Sequence, residues 1–163
     1  MINFLGISRP PEPQPIDDIR LYEPSTRPGS PLPHAWIDDE SGNRRPLKDL
    51  VVPGRFLLIA GEEGQDWCAA ARAVAAVNDL PIDAVRIGHI DGDLFDPRLA
   101  WAQFRGITEK GAVLVRPDRV VCWRSAGAAD NAATTLADAL GKVLGRKLRA
   151  HAGRKAPVAE PVA

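Results

Sequence analysis

Five consecutive apolar residues, Phe56-Leu57-Leu58-Ile59-Ala60, run directly into Gly61. The run is too short for a membrane span and has the length of a strand. Strand side chains alternate between two faces, so a strand with no polar residue must be covered on both. Any fold for this chain therefore needs material above and below a central strand. Residues 66–80 supply one cover. Trp67, Ala70, Ala71, Val74 and Val77 repeat at three and four residues, which makes one apolar stripe of a helix. Asp66 is the expected N-cap. The 163 residues suffice for one such domain.

The rest of the chain orders itself around that unit. Ala35-Trp36-Ile37 reads as a short strand, 38–43 as a turn, and 46–50 as one helical turn closed by Pro53-Gly54. Residues 84–87 read as the next strand. Asp96-Pro97 is expected to open a short helix through Gln103, with proline at the first helical position. Residues 112–116 and 120–123 read as strands, and Pro117-Asp118-Arg119 between them is tight enough for a hairpin. Residues 131–144 read as the last helix, with Leu136, Leu140 and Val143 inward and Asp130 as its cap. The order is β, β-α-β, α, β-hairpin, α. A β-α-β unit followed by β-β-α predicts an α/β, thioredoxin-like fold with a mixed sheet. Its first strand pair is parallel through a right-handed crossover.

The ends differ from the middle. The first 33 residues hold eight of the fifteen prolines. Proline lacks an N–H and fixes φ, so neither helix nor central strand forms there. Residues 1–20 are read as an extended Pro-rich arm, and 21–33 as an ordered loop lying on the domain. The thioredoxin-like domain itself is expected over 21–148, and 149–163 as a basic, disordered tail. Lys142 to Lys155 include six basic residues and no acidic one, while the chain before Lys142 carries 15 basic against 20 acidic residues. Part of this basic run is expected to extend the last helix, where cations complement its C-terminal dipole.

Composition excludes several classes. Lys+Arg and Asp+Glu are 21 each, without the basic excess of a nucleic-acid binder. No apolar run approaches the roughly 20 residues of a membrane helix, and the first residues do not read as a secretory signal. Two cysteines are too few for a disulfide scaffold, so the reducing cytoplasm is the expected compartment. The size leaves no room for a flavin or nicotinamide domain with its own substrate pocket.

Cys68 is the one candidate nucleophile. It follows Trp67 at the start of the first long helix, where a helix N-terminus favours thiolate. The position for a resolving partner, three residues on, is Ala71, and the stretch Glu109-Lys110-Gly111-Ala112 lacks the proline such oxidoreductases place opposite the cysteine. Packing is therefore the favoured reading of Cys68, and a monothiol redox role the alternative. Cys122 beside Trp123 reads as packing. His34, His89 and His151 are isolated, and no cluster has metal spacing. Asp91-Gly92-Asp93 reads as a turn. Gly61-Glu62-Glu63-Gly64 sits where phosphate loops sit, yet its two carboxylates would repel phosphate. Two polar-aromatic clusters remain. Arg27, His34 and Trp36 belong to one, and Arg116, Asp118, Trp123 and Arg124 to the other. They are read as an internal clamp between loop and hairpin, or as a docking surface for a partner domain.

The sequence of those clusters resembles the C-terminal end of the flavin-dependent aromatic-ring hydroxylases, the phenol and chlorophenol monooxygenases. The resemblance rests on Tyr22-Glu23-Pro24-Ser25-Thr26-Arg27-Pro28-Gly29-Ser30, on Leu32-Pro33-His34-Ala35-Trp36, and on Trp101 with Arg105-Gly106-Ile107. It continues through Gly111-Ala112-Val113-Leu114-Val115-Arg116-Pro117-Asp118-Arg119-Val120-Val121 and Trp123-Arg124. It implies a thioredoxin-like domain without the redox cysteine pair, lying beside a flavin domain and sharing in subunit contacts. FAD and NAD(P)H would belong to the parent enzyme, with the flavin-binding and substrate residues outside this sequence. The implied partners are a flavin-binding domain or subunit and a second copy of the chain, with neither nucleic acid nor membrane. A stand-alone interaction module is the competing reading.

Overall fold

The computed structural model describes residues 23–151. The expected arm over 1–20 and most of the expected tail lie outside them. Seven strands and two α-helices follow in order: β1 (Trp36–Asp38), β2 (Arg44–Pro46), β3 (Phe56–Ala60), α1 (Gln65–Asn78), β4 (Ile82–Gly88), β5 (Leu94–Phe95), β6 (Ala112–Val115), β7 (Val121–Ser125) and α2 (Ala132–Leu144). A single 3-10 turn, Leu47–Leu50, follows β2.

The strands form one sheet in the order β2-β1-β5-β4-β3-β6-β7. β3 pairs parallel with β4 and antiparallel with β6, and β6 pairs antiparallel with β7. This is the thioredoxin-like arrangement of a β-α-β and a β-β-α unit. The remaining strands extend the sheet beyond β4, through parallel β5 and antiparallel β1 and β2.

β3 is buried at every position, and its alternation sorts it between two cores. Phe56, Leu58 and Ala60 face α1 and α2, together with Trp67, Leu114, Trp123, Leu136 and Leu140. Leu57 and Ile59 face the other way, with Val113, Val115 and Val121. That second face is covered without an α-helix, by Leu32, Ala35, Leu47, Val51, Trp101 and Ile107 from the loops. Fully burying one such Leu or Ile side chain contributes about 1.5–3 kcal/mol, so both layers are needed to hold the sheet.

Several expectations change. Strands β2 and β5 form over residues to which the sequence assigns no strand, and Pro46, expected in the helical turn, ends β2. No helix forms over 96–103. The Asp96 carboxylate, 3% exposed, accepts N–H bonds from Ala100 at 2.8 Å and Ala102 at 2.9 Å. Leu99 turns left-handed at φ 53°, which no continuing right-handed helix allows. The α1 N-cap is Gly64 rather than Asp66, which is the second residue of the helix and lies in its first turn. The α2 N-cap is Asn131 rather than Asp130, its Oδ1 accepting from Thr134 N at 2.9 Å. The basic run does not extend α2. Gly145, at φ 66°, closes it after Leu144. Beyond it, Arg149 N–H donates to Asn78 Oδ1 at 2.9 Å and Asn78 Nδ2 donates back to Arg149 O at 2.7 Å. The chain is thus still tied to the end of α1 one residue past the expected domain edge.

Candidate functional site

The place where this fold carries chemistry is the entry to α1, at the carboxyl end of β3. Gly61 leaves β3 so close to the neighbouring loop that a Cβ there would sit 2.4 Å from Glu109 O. Trp67 donates its indole N–H to Lys110 O at 3.0 Å and packs edge-on against Trp123, with ring centroids 5.2 Å apart. These contacts turn the first residues of α1 inward. Cys68 goes with them and is 2% exposed. Burial, and then the charge of Asp93, push its thiol up to about 11. A nucleophilic thiol requires the opposite shift. Cys122, half-buried, is pushed up to about 12 by its own burial, and both cysteines are free thiols.

Carboxylates occupy the rest of this entry. Glu62 accepts backbone N–H bonds from His89 at 2.7 Å, Asp91 at 3.0 Å and Ile90 at 3.4 Å. The His89 bond is the main reason its carboxyl is held below the ordinary range. Gly88 is pressed so tightly under this loop that a Cβ would lie 1.8 Å from Asp91 O. Arg86 donates to Glu62 O at 3.0 Å and pairs with Asp91 at 3.2 Å. Glu109 pairs with Arg105 and accepts from Glu62 N at 3.3 Å. A loop of consecutive N–H groups that could receive a ligand anion is instead filled by the chain's own Glu62. Glu62 had been read only as part of a loop unfit for phosphate, and nothing in its sequence spacing points to residues 89–91. Among the described residues, no group of three or more His, Cys, Asp or Glu is placed to hold a metal ion.

Backbone bonds join the loop of the first cluster to the hairpin of the second, while Trp36 lies on β1, with β5, β4 and β3 between it and β6. Gly29 N donates to Val121 O at 2.7 Å, Val121 N to Ser30 O at 2.9 Å, and Leu32 N to Arg119 O at 2.8 Å. The loop thereby protects part of the β7 edge. Arg116 pairs with Asp118 at 2.5 Å inside the hairpin. Arg124 donates to Thr26 Oγ1 at 3.2 Å, and Thr26 Oγ1 donates to Arg105 O at 2.5 Å. Arg124, buried Thr26 and Arg105 thus link the loop, β7 and the segment leading to Glu109. Arg27 lies in the turn before Gly29. His34 and Trp36 stack edge-on at 5.4 Å, and Trp36 is 44% exposed. Trp123 is a core residue at 4% exposure, so it presents no surface patch.

Among the described residues, the exposed large apolar side chains are Trp36, Val52, Ile90 and Leu99. They come from β1, the segment before β3, the β4–β5 loop and the turn after β5. None comes from α1 or α2. Ile90 is 82% exposed on the loop that Glu62 pins. His89 and Leu99 border a small cavity above Trp101. Sequence reasoning did not single out Ile90 or Leu99. Isolated apolar residues in loops give no signal until the fold shows which way they point.

Residues 25–147 match the family described as aromatic-ring hydroxylase, C-terminal. Aklavinone 12-hydroxylase of Streptomyces purpurascens is 45% identical over 76% of this chain and 22% of its own length. The 2,4-dichlorophenol 6-monooxygenase of Delftia acidovorans is 38% identical over 82% of this chain and 23% of its own. The chain therefore spans about a fifth of the length of the curated relatives it matches. The flavin-dependent monooxygenase PieE, solved with FAD and substrate, superposes with a TM-score of 0.74 at 36% identity, covering 88% of this chain and 24% of that one. Aklavinone-11 hydroxylase, solved with FAD and aklavinone, gives 0.69 at 42% identity over 80% and 24%. With its thioredoxin-like sheet and the match over 25–147, the chain belongs to the aromatic-ring hydroxylase C-terminal family.

Proposed function

We propose that the chain is a non-redox, non-catalytic domain. It would pack on the flavin-binding domain or subunit of an aromatic hydroxylase and take part in contacts between subunits. The insertion of one oxygen atom into a phenol-type ring would be done by the partner, with FAD, NAD(P)H and O₂. The observation that carries this reading is the entry to α1. There a buried thiol, pushed up to about 11, and a self-filled N–H loop stand where the fold places its chemistry. A flavin diphosphate needs unopposed N–H donors at a helix N-terminus. Here Glu62, Glu63 and Asp66 crowd that end, and these residues do not fit the group. The large apolar side chains exposed on β1 and the loops, none of them on a helix, support docking through Trp36, Ile90 and Leu99. The cytoplasm, where two free thiols stay reduced, is the proposed compartment.

The test adds the full chain to the flavin-binding portion of aklavinone 12-hydroxylase, expressed without the part this chain matches. Co-elution on size exclusion is expected, with Ile90→Asp and Leu99→Asp each weakening it. NAD(P)H oxidation by the chain alone in the presence of a phenol would overturn the reading.

A further inference from the structure

The two ends of the molecule carry opposite charge. β3 and β4 finish, and α1 begins, at the end holding Glu62, Glu63, Asp66, Asp91, Asp93 and Glu109, where Arg86, Arg105 and Lys110 pair with three of these acids. The β6–β7 turn and the last turn of α2 lie at the other end, with Arg116, Arg119, Lys142, Arg146, Lys147 and Arg149. The acids at this end are Asp118 on the turn, Asp138 on α2, Asp79 capping α1, and Asp83 on β4, which pairs with Arg55. Between α2 and the start of β7, at the basic end, lies a cleft of about 400 Å³. Pro28, Val120, Cys122 and Val143 give it apolar walls. Among the described residues, the charged side chains lining it are Arg116 and Lys142, both cations. Asp118 pairs with Arg116, and Asp138 stands one helical turn before Lys142, but neither lines the cleft. A bulge shapes one wall. Leu114 pairs with Trp123 and Val115 with Val121, so Cys122 is the extra residue in β7. A second cleft beside the first, which also uses Lys142, is lined by Arg146, Lys147 and the carboxylate of Asp138.

We propose that this cleft binds a small organic carboxylate, with its apolar body against Val120 and Val143 and its head group between Arg116 and Lys142. The volume lies in the range of small-molecule sites, which combine apolar walls with a few polar groups that fix orientation. The planar guanidinium of Arg116 has donors for a carboxylate besides the one it gives to Asp118. A rigid, compact anion suits the cleft best, because a flexible chain would lose more freedom on binding. This site is at the opposite end of the sheet from the entry to α1 and does not depend on the proposed docking to a flavin-binding partner.

The experiment titrates the isotope-labelled full chain with naphthoate and follows backbone amide shifts. Its arms are the uncharged naphthylmethanol and an oligoglutamate peptide. Saturable shifts are expected at Val120, Cys122 and Val143. Naphthylmethanol should bind about tenfold more weakly, as should naphthoate to Lys142→Ala or Arg116→Ala. Both side chains are exposed, and the amide spectrum itself reports whether each variant folds. Equal binding of the alcohol, shifts spread evenly over the surface, no saturation, or tighter binding of the peptide at the same residues would each overturn the proposal. The last would mark the basic end as a docking surface for an acidic macromolecule.

Discussion

Cys68 stands one turn into α1, where a thiol can be activated, and the packing of Trp67 and Trp123 removes that possibility by burying it. Its thiol, raised to about 11, should alkylate with iodoacetamide only at high pH in the folded chain and readily in denaturant. Peptide-resolved mass spectrometry separates it from Cys122. An alkylation midpoint at or below the free-thiol value of about 8.5 would support the monothiol alternative. Glu62 gives a second residue-scale prediction. Its folded pKa is depressed, chiefly by the His89 N–H. It therefore contributes stability above the ordinary carboxylate pKa, and this is lost as pH falls through the lower folded value. Glu62→Gln should flatten the acid side of the stability profile and speed hydrogen exchange at His89, Ile90 and Asp91, with other amides unchanged. The lack of a resolving cysteine was plain from Ala71, whereas the burial of Cys68 depends on which face of α1 turns to β3. The Glu62 contact joins residues 27 to 29 apart in the chain, and local sequence contains no signal of it.

At the scale of elements, long periodic segments were readable and short ones were not. β3 announced itself by five apolar residues, and α1 by its stripe of small and aromatic side chains. β2 and β5 have three and two residues, too few to show any alternation. Asp96-Pro97 has the composition of a helix start, but the same carboxylate bonds two N–H groups and closes an irregular turn instead. Asp130 is the cap expected from composition, and geometry gives the role to Asn131, whose Oδ1 accepts the Thr134 N–H. Asn131→Ala should therefore cost about 1 kcal/mol in urea denaturation, while Asp130→Ala should leave the midpoint nearly unchanged. Asp96→Ala should cost about 1–3 kcal/mol, since it leaves buried N–H groups of the turn without their acceptor. An effect of Asp130→Ala as large as that of Asn131→Ala would contradict the assigned cap.

For the whole molecule, the resemblance in sequence and the order of elements led to the same fold. The match over 25–147 places the chain in its family. What sequence could not supply was the distribution of surface. The two helices expose no large apolar side chain, β1 and the loops expose Trp36, Ile90 and Leu99, and acidic and basic side chains concentrate at different ends of the sheet. This division suits the docking proposed for the domain. The claim beneath the account is that the solitary chain has no active centre. Its most direct test is the visible spectrum of the purified full chain after incubation with FAD and desalting, together with NADPH-dependent oxygen uptake in the presence of a phenol. The account predicts no retained flavin absorbance and no uptake above the rate with buffer alone. A yellow protein that consumes oxygen on addition of the phenol would contradict it.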